Sequence, residues 1–264
     1  MSSRLPATFS RLRSAGRGGL ITYLTAGDPD AARSTALLHA IALAGADVLE
    51  VGVPFSDPLA DGPVIQRATE RALAAGMTLR GTLEIVRCVR ERVETPIVLF
   101  TYANPILRMG VDEFTRRAAG AGADGVLILD YPIEEAGALR DSIVAAGLDP
   151  IFLVSPTTSD ARIRRAAERG RGFLYLISRL GVTGVRDRLP ADAAALASRV
   201  RQCTDLPLAL GFGIARPEHV AEACRAADAA VVGSALVDVV AQQADRPDLP
   251  ERAGEYVRWL KSAL

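Results

Sequence analysis

The sequence predicts an α/β fold in which eight strands alternate with helices and close into a (βα)8 barrel, and three observations support this. Short runs of aliphatic and β-branched residues recur eight times along the 264 residues. Each run is followed by a longer stretch with the apolar spacing of an amphipathic helix. The runs are almost continuously apolar, as in strands buried on both faces of a parallel sheet. A single domain spanning residues 1–264 is expected, since this TIM-barrel architecture typically takes about 250 residues.

The strand candidates are short apolar segments bounded by glycine, proline or polar residues. In chain order they are Leu20–Thr25, Val48–Gly52, Ile97–Tyr102, Gly125–Leu129, Ile151–Val154, Phe173–Ile177, Leu208–Gly211 and Ala229–Val232. An open, doubly wound sheet is the alternative arrangement of such units. The eight repeats run without a break in composition, which favours a closed barrel.

Amphipathic stretches between these strands predict the helices. They include Asp30–Ala44, Val111–Ala121, Glu134–Ala146, Asp160–Arg169, Ala191–Gln202 and Pro217–Ala226. Extra helices are expected at the N-terminus, after the second strand, where Gly76 divides two helices, and at the C-terminus. Residues suited to helix starts and ends support these boundaries. The starts are marked by Pro63, Thr78, Ser159 and Pro217, and the ends by Gly45, Gly122 and Gly147.

Charge and cysteine content argue against several classes of protein. Lys plus Arg number 31, as do Asp plus Glu, so no net charge attracts nucleic acid or an anionic membrane surface. The three cysteines lie far apart, which argues against disulfides or a zinc site and fits a reducing compartment. The sequence has neither a membrane-length apolar run nor the features of a signal peptide. We therefore expect a cytoplasmic protein that binds a small molecule.

The residue types available narrow the chemistry further. The only lysine, Lys261, falls in the predicted C-terminal helix, which excludes an imine formed at a strand end. The two histidines, His39 and His219, fall in separate predicted helices, so no metal site is expected. Nucleophile-elbow and Walker motifs are absent from the sequence. Acid and base catalysis by carboxylates remains.

Two carboxylates on one strand-loop unit are the candidate catalytic groups. Glu50 interrupts the apolar strand Val48–Gly52, where a carboxylate is costly unless a partner or substrate satisfies it. Asp61 ends the following loop, just before Pro63 and a predicted helix. Position alone also allows Glu50 to be a core carboxylate paired with arginine, and Asp61 to be a helix cap. Two acids in different environments are nevertheless the arrangement of a general acid and base.

Strand ends and loops predict where a ligand binds. Gly213 follows the seventh strand, and Gly233 and Ser234 follow the eighth, which is where barrels commonly bind phosphate; plain tight turns are the alternative. The loop after the sixth strand, with Thr183 and Gly184, fits either a lid or a plain flexible loop. Six side chains near strand ends would form a slot for a flat aromatic ring, although each also fits a core position. They are Tyr23, Ile65, Phe100, Leu127, Tyr175 and Phe212.

Several motifs in order resemble a known family. In chain order the sequence contains LTAGDP, LEVGVPFSDPLADGP, TYANPI, RGFLYLISRLGVTG, and GFGI followed by GSA, and the resemblance covers roughly residues 20–240. Together they resemble the tryptophan synthase alpha-subunit family, for which the PFSDPLADGP block is highly specific. The resemblance implies a lyase of tryptophan biosynthesis that cleaves indole-3-glycerol phosphate to indole and glyceraldehyde 3-phosphate by a retro-aldol reaction.

The resemblance also implies roles for matched residues. Glu50 would move protons between the glycerol hydroxyl and indole C3, and Asp61 would bind the indole N–H and stabilise the protonated ring. Asp57 and Thr183 would meet when two loops close. The phosphate would be held by Gly184, Gly213, Gly233 and Ser234, and the indole would contact Phe100, Leu127, Tyr175 and Phe212. Tyr23 stands where the family often has phenylalanine, so its hydroxyl needs water or a polar partner.

Cofactor and partner follow from the same resemblance. It implies no cofactor in this chain, because the protonated ring is itself the electron sink. It also implies an α2β2 complex with a beta subunit that carries pyridoxal phosphate. Two alternatives stay open: a standalone lyase that releases free indole, and a barrel that mainly activates a partner.

Overall fold

Eight parallel strands close into a barrel in the computed structural model, which describes residues 3–177, 191–211 and 213–264. Each strand pairs with its sequence neighbours, and the last pairs with the first. The strands are β1 (Gly19–Thr25), β2 (Val48–Gly52), β3 (Ile97–Thr101), β4 (Gly125–Ile128), β5 (Asp149–Val154), β6 (Leu174–Ile177), β7 (Leu208–Gly211) and β8 (Ala229–Val232). The predicted closed (βα)8 barrel is confirmed, and the open sheet is wrong.

Helices lie between and around these strands. They are α1 (Leu5–Ser14), α2 (Ala31–Leu43), α3 (Pro63–Ala74), α4 (Leu79–Arg90), α5 (Ala103–Met109), α6 (Val111–Ala121), α7 (Gly137–Ala145), α8 (Asp160–Arg169), α9 (Ala191–Arg201), α10 (Pro217–Ala226), α11 (Ser234–Gln242) and α12 (Leu249–Lys261). The extra helices predicted at the N-terminus, after β2 and at the C-terminus are present. None of the helices in the described part of the chain has the length and apolarity needed to span a bilayer.

One boundary differs in a way that matters for the site. The sequence predicts that the third strand continues through Tyr102, but β3 ends at Thr101 and Tyr102 is the N-cap residue of α5. The short helix α5 was not predicted, because seven residues are too few to show a clear helical period. The early end of β3 places Tyr102 in the loop region at the carboxyl end of the barrel.

The predicted helix caps agree with the structure. The Thr78 and Ser159 side chains accept hydrogen bonds from the N–H groups of Gly81 and Arg162. Gly122 ends α6 in the left-handed conformation, with φ of 88°. Both prolines, Pro63 and Pro217, lie in first turns, and Gly45 and Gly147 have positive φ just after α2 and α7.

Aspartates at the amino end of the barrel join neighbouring strands. Asp47, Asp124 and Asp228 directly precede β2, β4 and β8. Each accepts the backbone N–H of a residue at the start of the preceding odd-numbered strand, at 2.9, 2.9 and 2.8 Å. Basic side chains balance these buried or half-buried acids, and Lys261, 2.6 Å from Asp47, is one of them. The single lysine therefore has a structural partner far from the carboxyl end of the strands.

Apolar side chains of the strands and of α1 fill the interior of the barrel at its amino end. Inward-facing residues such as Ile21, Val48 and Phe173 form one apolar cluster with residues of α1. Within it the rings of Phe9 and Phe173 lie 5.7 Å apart. The α1 helix thus closes the amino end and not the carboxyl end, where barrel enzymes have their active sites.

Candidate active site

Glu50 is the central residue of β2 and points into the barrel. It lies in register with Tyr23 of β1 and Val98 of β3, and its side chain is 0% exposed. Neither carboxylate oxygen has a hydrogen-bond partner among the described residues. A core carboxylate paired with an arginine from the described part of the chain is therefore ruled out. Burial without a partner raises the pKa of Glu50 to about 8, so the group is largely protonated at neutral pH.

Asp61 lies in the loop that joins β2 to α3. Its Oδ2 accepts a hydrogen bond of 3.0 Å from the Tyr102 hydroxyl. The N-cap of α3 is Gly62 and no side chain caps this helix, so the alternative of Asp61 as a cap is wrong. Burial raises the pKa of Asp61 to about 6, while the hydrogen bond from Tyr102 opposes that rise. The two candidate acids thus differ in protonation near pH 7.

Three aromatic side chains from different strands meet at the carboxyl end of the barrel. The ring of Phe100 lies 5.1 Å from that of Tyr23, edge to face, and 6.5 Å from that of Tyr175. Glycines on the neighbouring strands make room for the two phenols. A Cβ at Gly52 would lie 2.1 Å from the Tyr23 hydroxyl, and one at Gly211 would lie 2.4 Å from the Tyr175 hydroxyl. The structure thus brings these three predicted slot residues together.

The Tyr23 hydroxyl has a polar partner within the chain. It lies 3.3 Å from Oγ1 of Thr25, and both side chains are buried. Burial first, and then the negative charge of Asp61, raise the pKa of Tyr23, so its phenol stays neutral. The predicted need for a partner is therefore met by a residue two positions along the same strand.

The other predicted slot residues are placed as follows. Leu127 is fully buried in the interior cluster, against which Phe100 and Tyr175 pack. Ile65 lies in the first turn of α3, and a Cβ at Gly233 would contact both Ile65 and Tyr23, at 4.0 and 3.7 Å. The slot and the end of β8 are therefore adjacent. Phe212 lies outside the described residues.

The predicted phosphate residues are only partly described. Gly213 has φ of 60°, in the region that favours glycine. Gly233 is the N-cap of α11, and Ser234 is its first residue, so the start of this helix faces the slot. Gly184 and Thr183 lie outside the described residues. Asp57 is exposed on the loop after β2 and accepts a hydrogen bond of 2.6 Å from Ser56.

Sequence reasoning missed Tyr102. This residue contacts Asp61 directly, yet the apolar pattern of the third strand assigned it to the strand itself. A signal was present, because Tyr102 is the first residue after an apolar run, in the motif TYANPI. The rule that polar groups at the carboxyl ends of barrel strands are informative would have selected it.

Comparison with known proteins gives a consistent result. A sequence-family model described as tryptophan synthase alpha chain matches residues 9–261. A tryptophan synthase alpha chain from Solibacter usitatus is 49% identical over 259 residues, covering 98% of this chain and 97% of the relative. One from Methylococcus capsulatus is 51% identical over 247 residues, covering 93% and 92%.

Solved structures are similar over the whole chain. The tryptophan synthase subunit alpha from Legionella pneumophila str. Paris superposes with a TM-score of 0.92 at 37% identity, covering 100% of this chain and 98% of that one. A chain from the structure of Mycobacterium tuberculosis tryptophan synthase gives the same TM-score, identity and coverage. Sequence and backbone similarity therefore extend over the barrel and its extra helices together.

Proposed function

The chain belongs to the tryptophan synthase alpha chain family, and from this premise we propose that Glu50 and Asp61 perform its reaction by acid and base catalysis. Members of this family act in tryptophan biosynthesis and cleave indole-3-glycerol phosphate. The observation that carries our proposal is the contrast between the two acids. Glu50 is fully buried with both oxygens unpartnered, and Asp61 accepts a phenol hydrogen bond beside the aromatic slot.

The reaction begins with a proton from Glu50. Because the pKa of Glu50 is raised to about 8, the group carries a proton at neutral pH and can donate it to C3 of the indole. The protonated ring carries a positive charge that its nitrogen shares. Asp61, which is largely ionised at neutral pH, accepts the indole N–H and stabilises this charge.

The second step breaks the carbon–carbon bond and restores Glu50. The Glu50 carboxylate takes the proton from the hydroxyl on the carbon attached to C3, and that O–H electron pair forms the aldehyde C=O. The bond between this carbon and C3 breaks, and its electrons restore the neutral aromatic ring. One proton has moved from oxygen to C3, so Glu50 is regenerated and the ring has served as the electron sink.

Binding is proposed to divide between an apolar slot and a phosphate site. Tyr23, Phe100 and Tyr175 come from three strands and offer ring faces and edges that suit a flat indole. The start of α11, with Gly233 and Ser234, lies next to this slot and suits an anion through its backbone N–H groups. Gly213 and Gly184 are proposed to complete the phosphate site, with Leu127, Ile65 and Phe212 completing the slot.

The family acts with a beta subunit, and its alpha chain carries no cofactor because pyridoxal phosphate belongs to that subunit. We propose an α2β2 complex for this chain. Indole release measured with and without a beta subunit separates this proposal from a standalone lyase and from a partner-activating barrel. Strong stimulation by the partner is the result that we expect.

Two further expectations stay predictions. They are the closure of Asp57 against Thr183 and a cytoplasmic location.

The variant Glu50→Gln tests the catalytic assignment, because it keeps the shape of the side chain and removes its acidic proton. We expect indole release to fall by at least about a thousandfold, while affinity for a non-cleavable indole alkyl phosphate stays within about twofold. Glu255→Gln, on the exposed side of α12, is the matched control and should release indole at the normal rate. Normal turnover by Glu50→Gln would remove Glu50 from the mechanism.

A further inference from the structure

We propose that Tyr102 is a positioning residue for the cleavage, which acts through Asp61 by holding the carboxylate and its loop at three points. The inference rests on the proposed role of Asp61. The three contacts are a hydrogen bond to Asp61, a hydrogen bond to the adjacent backbone and a ring contact to the start of the same loop.

The direction of both hydrogen bonds is fixed by the donors available. The N–H of Ala60 lies 3.1 Å from the Tyr102 oxygen and can only donate to it. The single phenol proton is therefore free to be donated to Oδ2 of Asp61, 3.0 Å away. One oxygen thus bridges the backbone of residue 60 and the carboxylate of residue 61, which sets the orientation of the carboxylate relative to its own loop.

The ring of Tyr102 adds the third contact. It lies 5.2 Å from the ring of Phe55, at an interplanar angle of 36°. The loop itself has little burial between these points, since Ser56, Asp57 and Ala60 are exposed and Leu59 is 90% exposed. A loop with so few buried contacts gains most of its order from the groups that hold its ends. Tyr102, which is 4% exposed, is such a group.

The backbone next to Tyr102 is also held by a hydrogen bond. The next backbone N–H, that of Ala103, donates a hydrogen bond of 2.7 Å to Asp130, which follows β4. This bond fixes the start of α5 and hence the direction in which Tyr102 leaves β3. Asp130 and Tyr102 together link the carboxyl ends of β3 and β4 to the loop that carries Asp61.

Titratable groups from several elements face this pair. They are Tyr23 of β1, Tyr175 of β6 and Asp130 after β4, and Glu50 of β2 faces the two phenols Tyr23 and Tyr175. Burial, Asp61 and Asp130 all raise the pKa of Tyr102, so the phenol keeps its proton throughout the working range and remains a donor. Burial raises the pKa of Asp61 and the bond from Tyr102 lowers it. Loss of the bond should therefore raise the pKa of Asp61.

The test is the pH profile of kcat/KM for indole release by Tyr102→Phe, which keeps the ring and removes the hydroxyl. We expect the acid limb to move up by about one pH unit, and kcat to fall about tenfold at neutral pH. The alkaline limb, which we assign to Glu50, should stay in place. Ionisation of the substrate phosphate is common to both enzymes, so the difference between the profiles reports Asp61.

A matched control and a second variant keep the test decisive. Tyr131→Phe, in a half-buried position outside the site, should leave the profile unchanged. Tyrosine with a single ring fluorine at position 102 keeps the fold and is a stronger donor, so it should move the acid limb to lower pH. An acid limb that both changes at position 102 leave in place would overturn the inference.

Asp61→Asn separates this inference from the proposed function. If that variant is inactive while Tyr102→Phe matches the unmodified enzyme at every pH, only the role of Tyr102 is overturned. If Asp61→Asn keeps normal turnover, the proposed catalytic assignment fails, and the role of Tyr102 fails with it.

Discussion

At the scale of single residues, the two carboxylates differ because only one has a hydrogen-bond donor. Glu50 is buried without a partner and has its pKa raised to about 8, whereas the pKa of Asp61 is raised only to about 6. Between these values Glu50 holds its proton and Asp61 has lost its own. The pair therefore provides an acid and an anion in the same pH window, without a metal or cofactor in the proposed steps.

Gly52 leaves the space that the Tyr23 ring occupies, so a larger residue at position 52 should disturb the site. In Gly52→Ala the new Cβ would lie 2.1 Å from the Tyr23 hydroxyl and 2.6 Å from its Cζ, so the ring must move. We expect a loss of about 1–3 kcal/mol in the free energy of unfolding, measured by urea titration, and at least a tenfold fall in kcat/KM.

Gly120→Ala is the control for that prediction, since nothing lies within 4 Å of its Cβ and it sits within α6. Alanine there should leave turnover unchanged and hold or increase stability by up to about 1 kcal/mol. Equal behaviour of the two variants would mean that Tyr23 does not need its present position.

Some of these residue-level features could be read from sequence and others could not. Glu50 is visible because a charged residue interrupts an apolar strand, and Thr25 is predictable as a neighbour of Tyr23 because strand residues two apart share a face. The hydrogen bond between Tyr102 and Asp61 could not be predicted from sequence. Its two side chains are 41 positions apart, and Asp61 lies in a loop with no periodic pattern. The direction of a loop side chain depends on contacts that a single sequence does not specify.

At the scale of elements, α1 closes the amino end of the barrel and so supports the site at the other end. Its apolar face, with Leu5, Phe9 and Leu12, completes the interior cluster.

Strand positions were predictable to within a residue or two because continuous apolar runs are unambiguous in a barrel of this length. The role of α1 was not predictable, because its residues show only that a helix is present.

The contact between Phe9 and Phe173 tests whether α1 stabilises the barrel. Phe9→Ala removes a 5.7 Å ring contact and leaves a cavity in a closed interior, so the free energy of unfolding should fall by about 3–5 kcal/mol. Folded protein should keep its kcat/KM within about twofold, because the site lies at the opposite end. Urea unfolding and indole release measure the two effects.

Arg13→Ala is the matched control for that helix, since Arg13 is exposed on α1. It should change the free energy of unfolding by less than about 0.5 kcal/mol. A comparable loss of stability in both variants would show that α1 is sensitive along its whole surface and does not stabilise the barrel through Phe9.

At the scale of the whole molecule, the barrel has two chemically different ends. Aspartates paired with basic side chains join the strands at the amino end, and the unpartnered Glu50 and the phenol-bonded Asp61 lie nearer the carboxyl end. The latter end is tied together by long-range contacts, such as the two 2.8 Å bonds between Arg71 of α3 and Asp28 after β1. Ion pairs therefore stabilise both ends, and the carboxyl end also holds the two carboxylates proposed for the chemistry.

The predicted barrel fold allows residues that are distant in sequence to be placed in one site. In a closed parallel barrel all strands end at one rim, so Glu50, Phe100 and Tyr175 could be placed together although they are far apart in sequence. Their separations and the packing of Tyr23 against Gly52 depend on register and twist, which the apolar pattern does not fix. That residues 1–264 form a single domain stays a prediction.

The pH dependence of kcat/KM for indole release from indole-3-glycerol phosphate tests the proposed roles of Glu50 and Asp61 together. The activity should fall below about pH 6, as Asp61 and the substrate phosphate gain protons, and above about pH 8, as Glu50 loses its proton. The alkaline limb is decisive, because only Glu50 is proposed to lose a proton there. An activity that keeps rising or stays level from pH 7 to pH 10 would contradict the assignment of Glu50 as the acid.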